Sequence, residues 1–84
     1  MCRNITTLRG LEPAATPEEV EAAARQYVRK VSGVQKTSAA TEEAFEQAVR
    51  RITDITAGLL ADLPERRQPP PTLPSLRRLA ARAS

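Results

Sequence analysis

Between Thr16 and Gly33 the sequence TPEEVEAAARQYVRKVSG carries both ends of a helix and a single apolar face. Thr16 is placed as the N-cap, Pro17 falls at the first helical position, where its missing N–H costs nothing, and Glu19 completes an S/T-x-x-E capping box. Val20, Ala23, Ala24, Tyr27, Val28 and Val31 recur at helical spacing and define one stripe to be buried. Ser32-Gly33 ends the run, because glycine accepts the left-handed conformation that a Cβ resists. The acidic first turn and Arg29-Lys30 in the last turn both suit the helix dipole. These signals predict a helix over 17–32.

A second stripe follows the polar loop VQKTSAA that starts at Val34. Thr41 is the expected N-cap, with Ser38 able to open a looser first turn. Phe45, Ala48, Val49, Ile52, Ile55, Leu59, Leu60 and Leu63 then sustain an apolar face for about five turns of 3.6 residues. Gly58 weakens this helix by about 1 kcal/mol relative to alanine, and Pro64 stops it. The predicted span is 41–63. A loop of this length predicts two antiparallel helices packed stripe on stripe.

Such a hairpin leaves its seam open on one side. Ile5, Leu8 and Leu11, spaced by three, predict a short helix or turn over about 4–9 that covers it. Each fully buried aliphatic side chain contributes on the order of 1.5–3 kcal/mol before entropy is subtracted. That lid matters in a chain of 84 residues, since domains this small bury only about 60% of the surface their unfolded chains expose.

Past Pro64 the composition changes. PERRQPPPTLPS holds five of the seven prolines and predicts an extended linker. SLRRLAARAS predicts a short helix over 75–83 with Ser75 as its cap, frayed when free. The charge divides at the same place. Residues 1–63 hold eight Lys/Arg against nine Asp/Glu, a balance of −1, whereas residues 64–84 hold five arginines against Glu65 alone, a balance of +4. The expected organisation is a helical domain over 1–63 followed by a flexible Pro/Arg-rich tail over 64–84.

Two resemblances rest on these segments. MCRNI at the start, followed by PAATPEEV, QYVRKVSG and EEAF, resembles a family of small bacterial proteins known as domain of unknown function 2277, over roughly residues 1–63. That resemblance implies a shared fold and no assigned activity. LRGLEPAATPEEVEAA is similar to the start of the J-domain of Hsp70 co-chaperones, with Thr16, Pro17, Glu18 and Glu19 at the cap and Gly10, Leu11, Val20 and Ala23 at the turn and apolar positions. EEAFEQAV resembles the beginning of the third J-domain helix, with Phe45 as the aromatic anchor. Where J-domains carry the His-Pro-Asp tripeptide that stimulates Hsp70, this chain reads Ser32-Gly33-Val34. The resemblance therefore implies a J-domain-like topology without co-chaperone activity. It also implies a docking role for Arg25, Arg29 and Lys30, because a basic surface in this region of J-domains meets the partner. Glu21 four residues before Arg25 supports the alternative of an ordinary solvated helix face.

Chemistry is narrowly bounded. The chain has no histidine, which removes Cys-His and Ser-His nucleophile pairs, His-containing zinc sites and imidazole acid–base catalysis. Cys2 is the one candidate for thiol or metal chemistry, with Arg3 beside it to favour the thiolate. Burial as a small hydrophobe over the seam is the plainer reading of it. The sequence predicts no catalytic residues, no cofactor and no metal. With no secretory or membrane-spanning run, the expected location is the cytoplasm, away from membranes.

The expected fold is all-α: an N-terminal helix or turn on an antiparallel two-helix hairpin, with a flexible C-terminal tail. The expected function is non-enzymatic protein–protein interaction with an unidentified partner, as a monomer or weak homo-oligomer. The alternative is charge-driven binding of RNA or another polyanion through Arg66, Arg67, Arg77, Arg78 and Arg82 in the tail. Neither Tyr27 nor Phe45, the two aromatic residues, lies among arginines as a base-stacking platform would.

Overall fold

A computed structural model describes residues 5–66, 70 and 72–78. Cys2, Arg67 and Arg82 lie outside the described residues, as does the predicted helix beyond residue 78. The regular secondary structure of the described residues is helical, with no strand among them. Two long helices dominate, α1 (Pro17–Ser32) and α2 (Glu42–Asp62).

The first helix forms where its capping signals put it. The Glu19 N–H donates to Thr16 Oγ1 at 3.2 Å and the Thr16 N–H donates to Glu19 Oε1 at 2.8 Å. At the other end Gly33 adopts φ 73° and its N–H reaches the Arg29 carbonyl. Helix α2 begins differently from the expected Thr41 cap. Thr41 has helical backbone angles and makes no side-chain cap bond. The chain instead enters through Ser38: its carbonyl accepts from the Glu42 N–H at 2.9 Å, and its own N–H donates to Thr41 Oγ1 at 2.9 Å. This is the looser first turn, with Thr41 supplying the reciprocal bond of a cap centred three residues earlier.

The helices run antiparallel. Ala24 and Val28 of α1 cluster with Phe45 and Val49 of α2, while Val20, at the start of α1, meets Leu60 near the end of α2. The second cluster also holds Leu8 and Leu11, so the N-terminal segment does close one end of the seam. It does so as a turn. Residues 5–8 are irregular and a turn follows at 9–10, in place of a helix over 4–9. Three β-branched residues, Ile5, Thr6 and Thr7, resist the helix, and Gly10 reverses the chain at φ 90°. Ile5 remains exposed, so among the described residues of this segment Leu8 and Leu11 make the lid. Arg9 fixes it by donating from Nε and Nη2 to the Pro64 carbonyl at 2.9 and 2.7 Å.

The described part of the tail makes contacts that its local sequence does not announce. Residues 75–78 are helical as predicted, starting from the Pro74 carbonyl, which accepts from the Arg77 and Arg78 N–H groups, in place of the expected Ser75 cap. This described part of the tail lies against the start of α1. Pro70 and Pro74 are buried, and Arg77 reaches Glu19 at the first turn of α1. The cause is electrostatic: the Glu19 carboxylate that closes the capping box is buried, and a buried carboxylate requires a hydrogen-bonded counter-charge. No helix among the described residues is long and apolar enough to cross a membrane.

Candidate functional site

The two flanks of the hairpin differ in chemistry. On one, Arg25 donates from Nη1 and Nη2 to the two Glu46 oxygens at 2.7 and 2.9 Å, a bidentate bridge between α1 and α2. The guanidinium lies 5.8 Å from the centroid of the Phe45 ring, so it also closes over the core aromatic. Glu21 is a remoter partner at 3.9 Å. The Arg25 hydrogen bond, followed by its charge, holds the Glu46 carboxyl below the usual carboxylate value of 4.5.

The opposite flank is apolar. At about 100° per residue, Tyr27 lies about 160° around α1 from Arg25, and Ile55 lies about 180° around α2 from Glu46. Along that side of α2 run Ala44, Ile55 and Leu59, with Ala48 and Ile52 beside them half-buried against the seam and Arg51 and Asp62 on the outer margin. Ile55 is 73% exposed and Leu59 54%. Tyr27 and Val31 are also exposed. The sequence stripe was therefore two faces wide: Phe45, Val49 and Leu60 serve the hairpin seam, and Ile55 and Leu59 belong to a second face turned outward.

A groove of about 660 Å³ lies beneath the N-terminal segment, between Leu8 and Leu11 on one wall and Ala57 and Leu60 on the other. Among the described residues no three of His, Cys, Asp and Glu come together in a way that would hold a metal ion.

A family model for an uncharacterized conserved protein, DUF2277, matches residues 1–83. The chain belongs to the DUF2277 family. No curated protein and no solved structure matches it. The match takes in the docked tail segment as well as the hairpin of this DUF2277 protein.

The expected site residues are dispersed by the structure. Arg25 is committed to Glu46, Arg29 is half-buried with its Nε lacking a hydrogen-bond partner, and Lys30 is exposed on the last turn of α1. Of the tail arginines, Arg66 and Arg78 are half-buried. Arg77 donates to Glu19 and to the carbonyls of Pro13 and Ala14. Neither interhelical nor tail pairing was read from the sequence. The width of the α2 apolar set was its one visible sign of an outward face.

Proposed function

We propose that this DUF2277 protein is a non-enzymatic protein–protein interaction module that presents the apolar flank of its hairpin. The observation that carries this reading is the exposure of Ile55 and Leu59 on the outward side of α2, in an apolar strip that Arg51 and Asp62 border. Isolated apolar side chains on a surface are ordinary, whereas a contiguous apolar face marks an interaction site. The J-domain resemblance supports the same class of work without Hsp70 stimulation, because the place of the His-Pro-Asp tripeptide is taken by Ser32-Gly33-Val34, with Gly33 ending α1 as its cap. The polyanion alternative has less support, since Arg77 is already bonded to Glu19.

The test is affinity capture with the full chain as bait, with and without nuclease, at low and high salt. Nuclease-resistant capture that is abolished by Ile55→Glu supports the reading. Loss of every bound species on nuclease treatment, with no effect of Ile55→Glu, sinks it in favour of the polyanion alternative.

A further inference from the structure

The charges that border the apolar strip specify what fits it. Arg51 and Asp62 are exposed and lie on the margin of the strip away from α1, near opposite ends of it. They are eleven positions apart, with Ile55 and Leu59 between them. If a second α2 lies antiparallel on the first, so that Ile52 of each copy meets Leu59 of the other, residues pair when their numbers sum to about 111. Arg51 then stands within about two residues, or 3 Å of rise, of the other copy's Asp62. An antiparallel pair brings the same margin of both helices to the same side, so this contact forms twice. A parallel pair would put this margin of the two helices on opposite sides of the contact, and the Arg51–Asp62 pairing would not form.

We propose that the occupant of this flank is a second copy of the chain, with α2 packed antiparallel on α2 about a two-fold axis near Ile55. This rests on the interaction reading above and names its partner. The strip is self-complementary in the way an isologous interface requires: apolar at the centre and carrying one charge of each sign at equivalent margins.

The experiment is sedimentation equilibrium of the full chain under reducing conditions, from micromolar to near-millimolar concentration. The expected result is a reversible monomer–dimer equilibrium. Ile55→Glu and Leu59→Glu shift it at least tenfold toward monomer while leaving the circular dichroism of the hairpin unchanged. Arg51→Asp and Asp62→Arg each weaken the dimer severalfold, and the double variant restores it, which separates the antiparallel register from non-specific apolar contact. A chain that stays monomeric throughout overturns the proposal, as does a dimer indifferent to Ile55→Glu. A monomer whose melting temperature falls with Ile55→Glu also overturns it, by pointing to an occupant within the same chain. Should the chain be monomeric while Ile55→Glu still abolishes nuclease-resistant capture, the second-copy inference fails and the interaction reading stands. Loss of both removes both.

Discussion

Arg77 meets Glu19 across 58 positions of sequence, its Nε donating to Oε2 at 2.6 Å and its Nη2 to Oε1 at 3.1 Å. The Glu19 side chain is only 4% exposed, and it also accepts from the Thr16 N–H, so one carboxylate both caps α1 and anchors the tail. Hydrogen bonds to charged groups contribute about 1.5–3 kcal/mol, and Arg77→Ala leaves the buried carboxylate without its counter-charge. The expected outcome is a stability loss within that range, with faster amide exchange over residues 72–78. Unchanged exchange there would show that Pro70 and Pro74 hold the segment without Arg77.

The same contact sets an acid limit. The Arg77 hydrogen bond, helped by the Thr16 N–H and opposed by burial, holds the Glu19 carboxyl below its ordinary value of 4.5. A carboxylate with a depressed folded-state pKa adds stability that is fully present above its unfolded value and is lost as pH falls through its folded value. The urea midpoint should therefore be flat from neutrality to about pH 5 and decline below about 4.5. Glu19→Gln should begin less stable and show a shallower acid decline. An identical acid decline in both proteins would place the sensitivity elsewhere.

Arg25 presents a different balance. Its side chain and that of Glu46 are 28% and 40% exposed, so solvent screens the pair despite its 2.7 Å contact. Arg25→Lys keeps the charge but loses the two-pronged bond and the planar contact with Phe45. The expected cost is roughly 0.2–1 kcal/mol, reduced further in high salt, as for other partly exposed pairs. Chemical denaturation at two salt concentrations measures both. A loss well above 1 kcal/mol would mean that the guanidinium stem packs over Phe45 more than it pairs with Glu46.

These pairs also mark where the sequence became illegible. Helix α1 was readable to both ends because its capping box, Pro17, apolar spacing and Gly33 are all local and agree. The start of α2 was ambiguous because Ser38 and Thr41 both carry a hydroxyl suited to capping, and the structure uses the two together. Arg25 has an i−4 acid in Glu21, yet Glu46 takes it, since a bidentate tertiary contact outweighs a monodentate one at 3.9 Å. Arg77 is one of five tail arginines, and nothing in the local sequence distinguishes it from the others. The outward face of α2 was hidden for a related reason: Ile55 and Leu59 are as apolar as Val49, and only the register fixed by Phe45 and Val49 against Ala24 and Val28 turns them away from the seam.

Two glycines give opposite expectations for one substitution. A Cβ added at Gly33 or at Gly58 meets nothing within 4 Å, so neither replacement is opposed by packing. What differs is the backbone. Gly58 lies within α2, where alanine restricts the unfolded chain and favours the helix, so Gly58→Ala should stabilise the protein by roughly 0.5–1 kcal/mol. Gly33 holds φ 73° as the left-handed cap of α1, where a Cβ meets its own backbone, so Gly33→Ala should cost about 1–2 kcal/mol. For a chain of this size 1 kcal/mol corresponds to about 4–8 °C in melting temperature, which places the two variants well apart in a thermal scan. If Gly58→Ala lowers the melting temperature instead, the open space beside it is occupied in solution, and a partner on that side of α2 becomes the explanation to pursue.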